Sequence, residues 1–197
     1  MELKTLNEIE IISAPHSKIS EVDFENLTFG NVFTDHMLVC DYVDGAWQKP
    51  VIEPYAPFMI DPSAKVFHYG QAIFEGMKAY KDQQDDVWLF RPDENFHRFN
   101  KSATRMAMPE VPEDIFLGGL HRLLEIEKEW VKKGKGNTLY IRPFMIATGH
   151  GVIAAPSQEY RFMIILSPAR AYYSGEVKVI IAEHYSRAAN GGIGAAK

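Results

Sequence analysis

Cysteine is almost absent from this sequence, since Cys40 is the only one in 197 residues. A single cysteine excludes an internal disulfide framework and a zinc site built on several thiolates. Long apolar runs are missing as well, because none approaches the roughly 20 residues that a membrane-spanning helix requires. The stretch from Met1 to Thr5 also lacks the basic and apolar regions of a secretory signal. These absences favour a cytoplasmic protein without a membrane partner.

Positive charge is scarce too, with 21 Lys and Arg against 26 Asp and Glu and a net charge of −5. This balance argues against a general nucleic-acid or anionic-membrane surface, although it is compatible with a local anion pocket. The remaining composition is ordinary for a globular protein, with 46% hydrophobic and 24% charged residues. A chain of this length buries a sizeable core and allows one large domain or one and a half.

Hydrophobic periodicity predicts an α+β fold. A strand that ends at Tyr42 is followed by Asp44-Gly45, which predicts a hairpin to the run from Trp47 to Ile52. Helices are predicted over 92–107 and 112–134, and a short one in the first half of 65–80. Further strands are predicted over the second half of 65–80 and over 87–90, 138–147, 160–166 and 177–182. The longest helix is expected over 112–134, where Gly134 is a natural stop.

The order of these elements predicts a division of the chain into two unequal parts. Residues 1–170 are expected to form a small N-terminal α+β domain, followed by a linker over 171–176. Residues 177–197 then supply only a first strand and a turn, and so begin a second domain that is incomplete here.

The last eleven residues, 187–197, form a glycine-rich turn that leads to Lys197. Glycines let a backbone approach a bulky planar ligand closely, and a desolvated lysine is usable as a Schiff-base nucleophile. A solvated lysine in a Gly/Ala loop is the ordinary alternative. A phosphate-binding P-loop fits poorly because Gly194 and Lys197 are separated by two alanines and no Ser or Thr comes next. A dinucleotide-binding turn also fits poorly, since lysine stands where the third glycine belongs.

Two arginines are candidates for binding an anion. Arg98 lies on the helix predicted after Pro92, and Arg142 lies inside an apolar strand, on the same face as Tyr140. Arg142 has two interpretations: a residue on the solvent face of the strand, or a planar fork that recognises a carboxylate. The histidines have no metal-binding spacing, so structural roles are expected for them and no metal is predicted.

Six stretches resemble, in order, motifs of the branched-chain amino acid aminotransferases, which are fold-type IV pyridoxal-phosphate enzymes. The motifs are Phe29-Gly-Asn-Val-Phe-Thr-Asp-His-Met37, Phe67-His-Tyr-Gly70, Phe74-Glu-Gly-Met-Lys-Ala79, Asn95-Phe-His-Arg98, Leu139-Tyr-Ile-Arg-Pro143 and Gly191-Gly-Ile-Gly-Ala-Ala-Lys197. The resemblance covers nearly the whole chain after residue 25. Six motifs in the right order are far more specific than any one of them.

The resemblance implies a small N-terminal domain followed by the start of the large pyridoxal-phosphate-binding domain. It implies that Lys197 holds pyridoxal 5'-phosphate as a Schiff base and moves the proton at the substrate Cα. Arg98 would hold the cofactor phosphate, and Phe29, Phe74 and Tyr140 would line the pocket for the substrate side chain. The implied reaction is reversible amine transfer between Leu, Ile or Val and 2-oxoglutarate, as in branched-chain amino acid biosynthesis.

The resemblance also implies a homodimer, because Tyr69 and the 149–153 loop with Ile153 would reach the partner subunit's site. Arg142 would lie near the pocket and receive the second carboxylate of glutamate. Amino acids and 2-oxo acids would be the small-molecule partners, with no nucleic acid and no membrane.

The chain departs from the family after Lys197. In the family a glutamate that pairs with the pyridine nitrogen, and turns that bind phosphate and substrate carboxylate, come after the lysine, and none is present here. We therefore expect residues 1–197 alone to be inactive. The alternatives are a D-amino acid aminotransferase or aminodeoxychorismate lyase of the same fold type, or a non-catalytic dimerisation module.

Overall fold

The computed structural model describes residues 9–170 and 175–197, and its main feature is one large sheet. The described residues form nine strands: β1 (Glu10–Ile11), β2 (His36–Val43), β3 (Ala46–Trp47), β4 (Val51–Pro54), β5 (Ala72–Phe74), β6 (Met77–Lys81), β7 (Val87–Leu89), β8 (Thr138–Ala147) and β9 (Tyr160–Ala169). The predicted α+β class is confirmed, and within the described residues no helix is long and apolar enough to cross a membrane.

The strands follow the order β1-β4-β2-β9-β8-β6-β7, with β3 paired to β2 and β5 paired to β8. All pairs are antiparallel except β1 with β4. The predicted hairpin joins β2 to β3, since Val43 pairs with Ala46 and both Asp44 (φ 54°) and Gly45 (φ 77°) have positive φ. Two successive positive φ values define the type I′ turn that suits a twisted two-stranded hairpin.

Helices cover one face of this sheet. The α-helices are α1 (Lys65–Tyr69), α2 (Pro92–Arg105) and α3 (Gly119–Ile126). A π-helical segment (Asp114–Gly118) precedes α3, and 3-10 turns occur at Ile19–Glu21 and Lys128–Trp130. Pro92 opens α2 and acidic Asp93 and Glu94 occupy its first turn, where they complement the helix dipole.

An aromatic cluster fills the space between the helices and the sheet. Phe99 of α2, Phe116 of the π-helical segment and Phe162 of β9 are fully buried. Each ring centroid of the three lies 5.3 to 5.5 Å from the other two. Since each ring comes from a different element, this cluster holds α2 and the π-helical segment against the sheet.

Replacing Phe162 with alanine is therefore expected to lower the free energy of unfolding by about 3–5 kcal/mol, the usual cost of deleting a buried phenylalanine. The matched control is Phe90→Ala, because Phe90 is 77% exposed and its removal leaves no cavity. Denaturant unfolding of both variants measures the difference. Equal losses of stability in the two variants would contradict the packing role of Phe162.

A buried polar cluster ties the N-terminal segment to the sheet. Glu127 is 2% exposed and pairs with the ring of His36. Asp35 accepts hydrogen bonds from the Trp130 indole (3.1 Å) and the Lys18 backbone amide (2.9 Å). Burial raises the pKa of Glu127, although the hydrogen bond to His36 opposes this. The role of His36 is therefore structural, as the sequence predicts.

The predicted helix over 112–134 is too long. The structure ends α3 at Ile126, and α2 with 14 residues is the longer helix. After Ile126 the chain makes a 3-10 turn that buries Trp130 against Asp35, and Val131 is extended. The helix ends before Gly134 because the Trp130 indole packs against Asp35, and intrinsic helix propensity does not include such tertiary contacts.

The predicted strand over 177–182 is also wrong, because the structure assigns these residues no regular element. Ile180 is 96% exposed, and within the described part of the chain no strand pairs with this segment. A strand requires a hydrogen-bonded neighbour, so apolar residues alone do not form one. At the other boundary, β9 continues through Ser167 to Ala169 instead of ending at Leu166. Most of the predicted 171–176 linker, residues 171–174, lies outside the described residues.

Candidate functional site

The site begins at the junction of β5 and β6, where a glutamate lies on the core face of the sheet. The strand alternation directs Ile73, Glu75 and Met77 to the buried side, and Glu75 is fully buried. The Glu75 backbone amide donates to the Pro143 carbonyl at 2.8 Å, which fixes this junction against β8. A buried carboxylate is costly unless cations and hydrogen-bond donors surround it.

Those donors come from α2 and from the end of the described chain. Arg98 donates from Nε (2.5 Å) and Nη2 (2.7 Å) to the two Glu75 oxygens, and Asn95 donates at 2.8 Å. Lys197 Nζ donates to Glu75 Oε2 at 3.2 Å. Burial by itself would raise the pKa of Glu75, but hydrogen bonds from Arg98 and Asn95 and the charge of Lys197 outweigh it and lower that pKa. Glu75 is therefore a carboxylate between two cations.

The backbone of Lys197 is held on both sides. Its carbonyl accepts a hydrogen bond from the Phe74 amide at 3.0 Å, and its amide donates to Ser102 Oγ at 3.1 Å. Arg105 of α2 donates to the Gly192 carbonyl at 3.1 Å. These bonds fasten the glycine-rich segment to β5 and α2, so the fold sets the position of the Lys197 backbone, from which the amine reaches Glu75.

The aromatic residues that the sequence nominated gather beside this lysine. The rings of Phe29 and Tyr140 are 4.9 Å apart, and Arg142 donates to the Tyr140 hydroxyl from Nε (3.1 Å) and Nη2 (2.7 Å). The Arg142 guanidinium lies 4.5 Å and the Lys197 amine 5.8 Å from the centroid of Phe74. Tyr140 and Arg142 share one face of β8, as the alternation predicts. The structure thus brings these residues together in an apolar patch beside two cations, Arg142 and Lys197.

Gly76 makes room for Tyr140 in this patch. A Cβ built at Gly76 would lie 2.5 Å from the Tyr140 hydroxyl oxygen, closer than real side-chain contacts allow. Any larger residue at this position would displace the hydroxyl that Arg142 contacts, so the Glu-Gly pair of the motif supplies both the carboxylate and this space.

Tyr69 and Ile153 lie in a second group around the 149–153 loop. The Tyr69 hydroxyl donates a short hydrogen bond to the Val152 carbonyl. The side chains of Val152 (67% exposed) and Ile153 (72% exposed) are open to solvent. The roles predicted for these residues in a partner's site remain predictions.

Sequence reasoning missed Glu75, Asn95 and Ser102 as members of the site. A signal for Glu75 was available, because the alternation of Ile73, Met77 and Ala79 places a charged residue on an apolar face. Ser102 gives no such signal, since its contact with Lys197 depends on tertiary packing. In the part of the chain that the structure describes, no group of three or more potential metal ligands is found.

The fold is that of the small α+β domain found in branched-chain aminotransferases of known structure, and Lys197, Arg98 and Glu75 lie together within it. The structure is similar to that of the branched-chain amino acid aminotransferase from Thermobaculum terrenum in its PLP form, with a TM-score of 0.50 and 19% identity. That match covers 68% of this chain and 40% of the other. At this identity the likeness shows the fold alone.

The particular family is given by sequence relatives. The chain is 50% identical over 180 residues to branched-chain-amino-acid transaminase 1 of Bacillus subtilis (strain 168), covering 89% of this chain and 51% of the relative. It is 45% identical over 184 residues to the branched-chain-amino-acid aminotransferase of Mycolicibacterium smegmatis, covering 91% of this chain and 50% of the relative. The resemblance to branched-chain aminotransferases that the six motifs indicate is therefore confirmed. No family model matches the chain, and the chain spans about half the length of these curated relatives.

Proposed function

We propose that the full-length polypeptide containing this chain is a pyridoxal-phosphate-dependent branched-chain aminotransferase that transfers an amine reversibly between Leu, Ile or Val and 2-oxoglutarate. The observation that carries the proposal is the convergence of Arg98 and Lys197 on one buried carboxylate, Glu75. The names of the sequence relatives support the reaction and its substrates over the alternatives, a D-amino acid aminotransferase, an aminodeoxychorismate lyase or a non-catalytic module.

The residues present fit the cofactor. Of the five N–H donors of a guanidinium, Arg98 gives only two to Glu75, and 52% of its side chain is exposed. Its other donors are available to a phosphate, which a planar cation binds well. Lys197 would hold the cofactor through its amine. The Lys197 side chain is 33% exposed, and a hydrogen bond to Ser102 holds its backbone in place. Bound pyridoxal phosphate supplies an electron sink for the charge that develops at the substrate Cα.

The protein residues divide the remaining work. Lys197 would carry the proton at Cα, because its amine lies beside both Glu75 and Phe74. Phe29, Phe74 and Tyr140 would receive a branched aliphatic side chain, whose full burial contributes about 1.5–3 kcal/mol. The donor leaves as a 2-oxo acid before the acceptor binds, so one pocket must accept both substrates.

Glutamate has a second carboxylate that an apolar pocket excludes. Arg142 would pair with it, since the guanidinium lies over Phe74 at the edge of the patch and is already oriented by the Tyr140 hydroxyl. A planar fork held in this way accepts a carboxylate with little loss of side-chain entropy. Leu, Ile and Val would leave the guanidinium on the Tyr140 hydroxyl.

The proposal includes a cytoplasmic homodimer in which Tyr69 and the 149–153 loop with Ile153 reach the partner's site. Outward apolar side chains support it, because Phe67 is 61% and Ile153 is 72% exposed. It also includes the two-part division of the chain, with residues 1–170 as the small domain, 171–176 as the linker and 177–197 as the start of the large domain. The continuous sheet from β1 to β9 supports the first part of that division.

The test is to load the full-length polypeptide with pyridoxal phosphate, reduce it with borohydride and locate the label by mass spectrometry. We expect the pyridoxyl group on Lys197, because only this amine lies beside both Arg98 and Glu75 in the described residues. Full-length protein carrying Lys178→Ala, in the same terminal segment, is expected to label normally. Labelling at another lysine, or none, would contradict the proposal.

A further inference from the structure

One short segment, residues 61–71, fastens the 149–157 loop at several points. The Gly151 amide donates to the Ser63 carbonyl (3.2 Å) and hydroxyl (3.1 Å). At the other end of the loop, the Ser157 amide donates to the Gln71 side-chain oxygen at 3.1 Å. Since the loop has no regular secondary structure of its own, these bonds decide its shape.

The central fastening is made by Lys65, the first residue of α1. Its amine donates to the Ala155 carbonyl at 2.7 Å and to the Pro156 carbonyl at 3.2 Å. Its backbone amide also donates to the Gly149 carbonyl at 3.1 Å. One residue therefore spans the loop from its start to its end.

Lys65 is an unusual lysine because it is only 7% exposed. Among the residues that the structure describes, no carboxylate forms an ion pair with it, so only carbonyl dipoles stabilise its charge. Burying an unpaired ammonium is costly, and a methionine of similar length would pack there without that cost. What Lys65 provides and methionine would not is a pair of hydrogen bonds that hold the Ala155 and Pro156 carbonyls of the loop in place.

We propose that Lys65 is a positioning residue for substrate binding, which acts by holding the loop that presents Val152 and Ile153. The proposal rests on the proposed function, in which this loop completes the partner subunit's pocket. Loosening the loop would weaken binding of the aliphatic substrate side chain without touching Lys197, Arg98 or Glu75. The effect should therefore fall on KM for leucine and leave kcat nearly unchanged.

The experiment compares Lys65→Met with Lys135→Met, a matched change at an exposed lysine in the 134–137 turn. Both are made in the full-length, cofactor-loaded protein. In Lys65→Met we expect about tenfold faster deuterium exchange over 150–157 and about a tenfold higher KM for leucine, with kcat within about twofold. Lys135→Met should match the wild type. Lys65→Arg, which keeps N–H donors at this position, should restore most of the wild-type exchange rate and KM.

The outcomes are separable. Exchange and KM that equal those of Lys135→Met would overturn the proposal, as would faster exchange with an unchanged KM. A fall in kcat together with a lower unfolding temperature, not recovered by Lys65→Arg, would assign Lys65 to stability and also overturn it. A wild-type protein without leucine transamination would contradict the proposed function itself, and with it this inference.

Discussion

Replacing Lys197 with alanine in the full-length polypeptide is expected to lower kcat for leucine transamination by about 10⁴-fold or more. The substitution removes both the amine that would hold the cofactor and the group that would carry the proton at Cα, and proton transfer alone contributes about 10²–10⁴-fold. Its backbone bonds to Phe74 and Ser102 do not involve the side chain, so the fold should persist. Single-turnover and steady-state kinetics measure the loss.

The matched control is Lys178→Ala, which removes an exposed amine from the same terminal segment. It should retain wild-type turnover. Because the effect is assigned to chemistry, the circular dichroism spectrum of Lys197→Ala should remain near that of the wild type. Turnover of Lys197→Ala within a factor of about ten of the wild type would show that another residue carries the reaction.

The second large effect is expected for Glu75→Gln, which should weaken pyridoxal-phosphate binding by about 10–100-fold. Glutamine keeps the size of the side chain but supplies one oxygen where Arg98 and Lys197 use two, and it turns an N–H₂ group toward cations. Losing hydrogen bonds to charged groups costs about 1.5–3 kcal/mol. Equilibrium titration of the apoprotein, followed by absorbance, gives the dissociation constant.

Glu94→Gln is the matched control, because Glu94 lies on the same helix as Arg98 but pairs with Arg91 at the surface. Cofactor affinity in this variant should equal that of the wild type. Equal affinities in Glu75→Gln and Glu94→Gln would contradict the orienting role of Glu75.

The lowered pKa of Glu75 adds a pH dependence to the same variant. A carboxyl whose pKa lies below its ordinary value of 4.5 in the folded state stabilises the fold above that value, and the contribution is lost as the pH falls through the lowered pKa. The difference in the free energy of unfolding between wild type and Glu75→Gln should therefore be largest near neutral pH and become smaller below about pH 4.5. Arg98 is half exposed, so solvent screens part of this contribution.

Strand β8 shows what local pattern is able to predict. Its bounds, Thr138–Ala147, equal the predicted range, because buried and half-buried residues alternate from Leu139 onward, as the sequence pattern predicts. The helix over 112–134 and the strand over 177–182 were wrong for a common reason. The end of the first depends on where Trp130 packs, and the existence of the second depends on a neighbouring strand.

Local sequence patterns are sufficient to predict the α+β class, the hairpin at Asp44-Gly45 and the order of six motifs, since each depends on residues close together in the chain. The meeting of Arg98 and Lys197 at Glu75 is visible only in the folded chain, because Glu75 lies 122 residues before Lys197. Packing of α2 against the sheet creates that meeting, and a buried carboxylate persists there because two cations and an amide surround it.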